Sequence, residues 1–548
     1  MNDKWRRAGC SALFLLIGGT FCLDISHGIR LGQDQVAFHP AYRIRQSLAI
    51  AISRLHDPSP GKYLAYKSVV NVLVENGFAM FLGEPGLHLN AKGHLNGKEW
   101  AALLADGPRL DRIIQQAKDV AIDTGLPPEI IKRNELGLVD YIYLSFRIFG
   151  DKIASLYYFF YLVVAVSCLI YILQFSDRPF LLYLLAIFLC ALYFLEDYAS
   201  NYSVQLGSIA NSRAYSGLSL LPALHVLFVF WQRRPPFALT VAGVVLQSLI
   251  FAFLLSCRTE VAWQLAMVAA ITGGVGLWLL PPLRGQKPRA LLCRLALFWP
   301  AVVFVVTAAA YATVVSLEVD SLYATEPKGH IIWHEVLIGT LSTSPQLQHE
   351  YAGDEKPLYS DGLAYDAVIR DLKARNDTSS PILRKLPDGD LRVNLMAGSS
   401  EYDSLARSLT LRIIRDHPMA VVETVPVKVW DQLRLYTSPF RHGMTWANLQ
   451  TPVMIVAVAA LICMAAGGFG IGPGTRGGAV RGVGVILLFA SVTPLIEPSP
   501  LSIGSLFCYL GVIAIVIPYA LVLLIRGIVG LKWRPEPENV SSGVKSVP

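Results

Sequence analysis

Charge is what this sequence has least of. Asp, Glu, Lys and Arg make up 16% of its 548 residues and apolar side chains 53%, where soluble globular chains carry roughly 25% charged and 45–50% apolar residues. That deficit excludes a disordered chain and an ordinary soluble enzyme. A mean hydropathy of +0.47 puts much of the chain in lipid. Cysteine is missing where it would constrain the fold. Cys10, Cys22, Cys168, Cys190, Cys257, Cys293, Cys463 and Cys508 all fall in or beside apolar runs. The two stretches charged at a soluble-domain level, about 24–152 and 318–450, therefore hold neither a disulfide framework nor a cysteine-based zinc site. Walker A, GxGxxG and GxSxG motifs are absent, and the glycine-rich 467–482 lacks the lysine of a phosphate loop. No basic cluster interleaves with aromatics, so no nucleic acid is expected as a partner. No internal repeat stands out, which counts against transporter folds built from repeated halves.

What is present is a series of apolar runs near the length of about 20 residues that a bilayer core requires. Ten are expected to span: about 8–25, 153–175, 179–195, 217–231, 236–256, 261–281, 295–317, 452–470, 482–496 and 502–525. The runs at 217–231 and 482–496 are short. Membrane lipids are the first expected partner. Lys and Arg then set the orientation. With the N-terminus in the cytoplasm, the inner connections hold fifteen cations, from Lys4, Arg6 and Arg7 through Arg178, Arg233 and Arg234 to Arg526, Lys532 and Arg534, whereas the short outer loops hold only Arg213 and Arg258. Both termini are expected in the cytoplasm and both large stretches outside. The first run has a basic n-region but no small-x-small cleavage site, and reads as an uncleaved anchor.

The expected class is all-α: a polytopic bundle of about ten spans with two mainly helical extracytoplasmic segments. Its divisions are an anchor (1–25), a first outer loop (26–152), a six-span bundle (153–317), a second outer segment (318–450), three C-terminal spans (451–530) and a cytoplasmic tail (531–548). Helical spacing supports the outer helices. Ile44, Leu48, Ile52 and Leu55 share one face. Leu110, Ile113, Ile114, Ala117 and Ala121 share another, closed by Gly125. In the second segment Tyr365, Val368, Ile369 and Leu372 group together, as do Tyr402, Leu405, Leu409 and Ile413. Such stripes need a partner surface, either the membrane and bundle mouth or a small separate domain.

Candidate chemistry gathers at the outer face. Glu196 and Asp197 form an acidic pair at a membrane boundary, able to bind a divalent cation such as Mg or Mn through oxygen ligands; a solvated helix end is the alternative. Asp57, in HDPSP, and Asp24, directly after the first span, are the first-loop carboxylates; an Asp before Pro is also ordinary turn chemistry. Arg213 and Arg258 suit a phosphate or pyrophosphate headgroup or snorkelling to the interface. In HIIWHE, His330 and His334 stand four residues apart, a spacing that shares one helical face; Trp333 and His334 also suit sugar stacking or the interface.

Two stretches carry a resemblance: YLAYKSVVNVLVENGF from Tyr63, and NELGLVDYIYLSFRIFGDKIASLYYFFYLVV from Asn134, with Phe149-Gly150 and Ser155-Leu156 at the start of a span. Together with the layout of one span, a long outer loop and then a series of spans, they resemble the GT-C superfamily of integral-membrane glycosyltransferases. The chain is also similar to bacterial membrane proteins of this general type with a Trp-His segment like Trp333-His334. The resemblance is topological over most of the chain and residue-level over about 63–175. It implies a bacterial plasma-membrane protein that transfers a sugar from a polyprenyl-phosphate donor to an acceptor at the outer face, with inversion. Asp57, or Asp24 in its place, would deprotonate or orient the acceptor, and a cation at Glu196-Asp197 or the guanidinium groups of Arg213 and Arg258 would stabilise the leaving phosphate. The superfamily's Asp, often one of an acidic pair, lies a few residues before the Tyr; here Asp57 precedes Tyr63 by six residues and is followed by Pro58. The residues by themselves also leave open a non-enzymatic scaffold, or a transporter, against which the shortage of intramembrane charge counts.

Overall fold

The structure is a computed structural model. It describes residues 41–59, 61–70, 107–123, 135–202, 214–258, 261–279, 296–320 and most of 332–430, with isolated positions elsewhere. The expected anchor at 8–25, Asp24, Arg213 and most of the three expected spans after residue 450 lie outside the described residues. Helix accounts for 80% of what is described, so the all-α expectation holds at that level.

The first charged stretch opens with α1 (Ala41–His56), then β1 (Ala65–Tyr66), α2 (Lys67–Val70), α3 (Gly107–Asp123), β2 (Pro128–Glu129) and α4 (Leu136–Phe149). The stripe expected on α1 is buried at Ile44, Leu48 and Ile52, and Ala49, Ile50 and Ala51 are buried as well. This helix is enclosed rather than half-exposed. β1 and β2 make a two-residue antiparallel pair, Ala65 opposite Glu129 and Tyr66 opposite Pro128. α3 buries Ile113, Ile114 and Ala117 and ends before Gly125, whose φ of +54° is the left-handed conformation that favours glycine.

The apolar part follows: α5 (Ala154–Phe175), α6 (Pro179–Tyr202), α7 (Ala214–Leu218), α8 (Leu220–Trp231), α9 (Ala238–Cys257), α10 (Ala262–Leu279) and, after a 3-10 turn at Ala296–Phe298, α11 (Trp299–Leu317). Three stretches, Ala154–Phe175, Ala238–Cys257 and Ala296–Leu317, are long and apolar enough to cross a membrane. A 22-residue helix is about 33 Å long at 1.5 Å per residue, against roughly 30 Å of bilayer hydrocarbon. α8 is shorter and wholly buried from Leu220 to Phe230, as suits a helix inside a bundle. The run expected at 482–496 sends Val483, Ile486, Leu487 and Ala490 into the same core.

Polar pairs also join these helices. Gln247 donates to the Ser167 carbonyl at 2.8 Å while Ser167 donates to Gln247 Oε1 at 2.7 Å, tying α5 to α9. The Phe251 and Phe304 rings meet at 4.4 Å between α9 and α11. Outward, Leu162, Val166, Leu169 and Leu173 form an exposed stripe on α5 at the spacing of one helical face.

The second charged stretch has its own core. α12 (Ile332–Leu341), α13 (Pro345–Tyr351), α14 (Asp361–Ala374), the hairpin β3 (Leu383–Lys385) and β4 (Leu391–Val393), and α15 (Leu395–Asp416) gather Leu337, Leu341, Leu363, Val368, Leu409 and Ile413 into one cluster, distinct from the one that unites the first stretch with the spans.

α4 is pressed against the end of α9 through Gly137. A Cβ there would lie 2.0 Å from Ser256 Oγ and 2.4–2.6 Å from the Ser256–Cys257 backbone. Gly137→Ala is therefore expected to cost about 1–3 kcal/mol of overpacking and to lower the melting temperature of the detergent-solubilised protein. Gly243→Ala, whose nearest neighbours stand at 3.5 Å, should leave it nearly unchanged.

Candidate functional site

The charged groups sort to the two ends of the long apolar helices. At one end Arg234 reaches Asp177 at 2.6 Å, its guanidinium lies over the Phe175 ring, and its carbonyl accepts the Trp299 indole N–H at 3.2 Å. The other end is built around Asp140 of α4. This carboxylate is 7% exposed. It accepts from Arg54 Nη1 at 2.6 Å and from the Tyr63 hydroxyl at 3.0 Å, with Lys62 Nζ 3.6 Å away. Lys62 also pairs with Glu318, the residue after α11. Arg54 stacks over the Tyr143 ring at 3.9 Å. One buried acid thus holds together α1, the turn after it, α4 and, through Lys62, the end of a spanning-length helix.

The turn that delivers Lys62 and Tyr63 is set by Asp57. Its Oδ1 accepts the Ser59 N–H at 2.8 Å, and its Oδ2 accepts the Ser59 hydroxyl at 2.7 Å and the Tyr66 hydroxyl, an Asx-type turn before proline. Gly61 at φ +105° lets the chain reverse. Tyr66 N–H donates to Ser53 Oγ at 2.8 Å and closes the loop onto α1. The bonds from Tyr66 and Ser59 hold the Asp57 carboxyl down at about 2, so it is ionised in any physiological medium. Burial and the adjacent Asp140 push the Tyr63 phenol far above its ordinary value, leaving it a permanent donor.

Where the chain turns from α4 into α5 lies an open groove of about 310 Å³ lined by Asp111, Arg112, Gln115, Gln116, Asp151 and Lys152. Asp111 accepts the Ile153 N–H at 3.0 Å, and Lys118 pairs with Asp151 at 2.8 Å. Burial raises the Asp111 carboxyl despite that bond. The groove brings two amides, two cations and two acids together within one helix face and one turn, over a lining surface that is mostly apolar.

The other expected site residues fall as follows. Asp24 and Arg213 lie outside the described residues. Glu196 and Asp197 stand on α6, which runs on to Tyr202, and their side chains lie outside the described ones. Arg258 caps α9, its N–H donating to the Leu254 carbonyl, at the same end as Asp140. Trp333 and His334 open α12. The His334 ring is 4% exposed, its Nδ1 2.7 Å from the Tyr402 hydroxyl and its face against Tyr365. Trp333 N–H donates to Asp403 at 2.8 Å, and its ring faces Arg407. Both residues therefore join α12 to α15 in the second core. Among the described residues no group of three His, Cys, Asp or Glu is placed to hold a metal ion.

Asp140, Arg54 and Lys62 were not among the residues singled out from sequence. The available signal was a lone acid in the apolar run LGLVDYIYL, which a buried helix face tolerates only when the acid is paired. No family model, curated protein or solved structure matches the chain.

Removing the Asp140 charge leaves Arg54 and Lys62 without their shared partner. Asp140→Asn is expected to cost stability near the lower end of roughly 3–5 kcal/mol, since Arg54 keeps some solvent, whereas the paired Arg54→Met, Asp140→Leu variant should recover much of it; thermal melting compares the two. Asp57 generates a pH prediction. Its folded value of about 2 lies below the ordinary 3.8, so its bonds stabilise the fold above about pH 4 and are lost as pH falls toward 2. Asp57→Asn should lower the melting temperature at pH 7, with the difference from the parent shrinking as pH falls from about 4 through 2.

Proposed function

We propose that the chain is a membrane-embedded glycosyltransferase of the GT-C type, acting on a polyprenyl-phosphate-linked sugar at the membrane surface nearest Asp140. The observation that carries this reading is the convergence of the two stretches that resemble that superfamily. Tyr63, which opens one, donates to Asp140 near the start of the other, and Lys62 joins both to the end of α11. Short basic connections at the Arg178 and Arg234 end support a cytoplasmic location for that end. The Asp140 end then faces outward in a multi-pass bacterial plasma-membrane protein whose termini are both cytoplasmic.

The chemistry is assigned by charge and access. Lys62 is partly exposed and shares its charge between Asp140 and Glu318, so an incoming lipid phosphate replaces Glu318 as its counter-ion, and the charge developing on the leaving phosphate meets a fixed ammonium. Arg258, at the same end, adds a second donor. The acceptor hydroxyl attacks the anomeric carbon from the opposite side, forming the new glycosidic bond as the bond to phosphate oxygen breaks. Asp57 accepts the hydrogen bond of that hydroxyl, whose proton passes to the departing polyprenyl phosphate. With a pKa of about 2 it is a weak base, so its role is to orient the nucleophile rather than to keep its proton. The Asp111–Lys152 groove receives the acceptor. A divalent cation at Glu196 and Asp197 belongs to the same reading.

The test uses the full chain in nanodiscs with a panel of polyprenyl-phosphate sugars and mass-spectrometric detection of released polyprenyl phosphate. Release by the parent, reduced about a hundredfold or more in Asp57→Asn and Lys62→Gln, is the expected result. An intact donor panel with the parent, or full turnover by both variants, would overturn the proposal.

A further inference from the structure

The second charged stretch ends in an apolar face that its own core does not use. After α15 the chain continues in helical turns at 418–424 and 426–428. Ala420 and Val421 pack on the second core and Thr424 is buried. The opposite side presents Leu411, Ile414, Met419, Val422, Val427 and Trp430, with Met419, Val422 and Trp430 at 66%, 59% and 68% exposure. Within each helical piece the spacing of three residues puts Leu411 beside Ile414, Met419 beside Val422 and Val427 beside Trp430. Three charged residues, Arg415, Asp416 and Glu423, also stand exposed in this stretch, and Arg415 is bound to Asp416 at 2.8 Å.

We propose that this face, 411–430, lies on the lipid surface and seats the second charged stretch on the membrane. Water is a poor neighbour for six large exposed apolar side chains within twenty residues. The residues that follow argue for lipid rather than a protein partner. Trp430, Tyr436, Phe440 and Trp446 alternate with Lys428, Arg434 and Arg441, a mixture of amphipathic aromatics and cations suited to the headgroup layer. An apolar run then begins at 452, about twenty residues after Trp430. A chain about to enter the bilayer keeps this face within reach of it. The occupant is thus the outer part of one leaflet, with Trp430 at headgroup depth and Met419 and Val422 in the acyl boundary.

The experiment uses the unmodified full chain in phospholipid nanodiscs doped with a phospholipid carrying a photoactivatable diazirine in its tail, followed by peptide mapping. Peptides covering 411–430 should carry lipid adducts at a level comparable to the exposed stripe of α5 and severalfold above the β3–β4 hairpin. The Val422→Glu, Trp430→Glu double variant should keep its melting temperature, since both side chains face away from the core, and should lose most of the 411–430 adducts while those on α5 persist. Adducts at 411–430 no higher than on the hairpin would overturn the proposal. So would chain-to-chain crosslinks through 411–430 in place of lipid adducts, which would make the face a contact between copies.

Discussion

A carboxylate taken out of water must be repaid by charge and hydrogen bonds at close range, or it neutralises or stays outside. Asp140 is that carboxylate here, and the described architecture around the first charged stretch depends on it. Arg54 comes from the last turn of α1, Lys62 and Tyr63 from the turn that Asp57 shapes, and Glu318 from beyond α11. None of these elements is covalently close to Asp140. Two of the partners are 77 and 86 residues away along the chain. Arg54, Lys62 and Tyr63 bond or pair with the acid directly, and Glu318 is tied to it through Lys62, so each is held to the others. The amphipathic helices of the first stretch are thereby fixed over the ends of the long apolar helices, and their cores become one.

The apolar helices solve a different problem. In lipid, association relies on close packing and on polar groups that would otherwise be left in hydrocarbon. In the helices long enough to cross a membrane, the reciprocal Ser167–Gln247 pair supplies such a polar contact, and Gly137 against the Ser256–Cys257 backbone supplies a close one at the end of α9. His225 follows neither pattern. Both ring nitrogens are buried without a hydrogen-bond partner, and the ring packs against Tyr171 and Phe175. It contributes as an aromatic within the core.

Much of this fold was legible in the sequence because it follows from period and length. The stripes at 44–55, 110–121, 365–372 and 402–413 became α1, α3, α14 and α15, and the runs at 153–175, 236–256 and 295–317 became the helices long enough to cross a bilayer. The candidate site was less legible, for a physical reason. Periodicity reports which face of a helix is buried, but the partner of a buried charge is chosen by tertiary geometry. Asp57 could be read as a turn former from Pro58 and Ser59 beside it, and it is one. Asp140 carries no such local text. His334 reads as an exposed aromatic-rich motif in HIIWHE, while its actual partner, Tyr402, comes from another helix 68 residues on.

The two charged stretches therefore differ in kind, and the difference bears on where chemistry belongs. A reacting constellation needs its groups held on rigid elements to a fraction of an ångström. The Asp140 end meets that demand: its cations sit on α1 and on a turn pinned by three bonds to Asp57, and its acids sit on α4 and at the end of α11. The second stretch is internally as well packed, but its polar residues are spent on itself. His334, Tyr402, Asp403 and Trp333 fasten α12 to α15, and Asp371 fastens α14 to α15 through Arg412. What this stretch leaves over is surface, chiefly the apolar row after α15. A unit with a self-satisfied interior and one apolar face is suited to covering and positioning, and a buried charge network open at its rim to exchange of Glu318 is suited to binding an anion. Both follow from where the unpaired capacity of the structure lies, in apolar area for the second stretch and in shared cationic charge for the first.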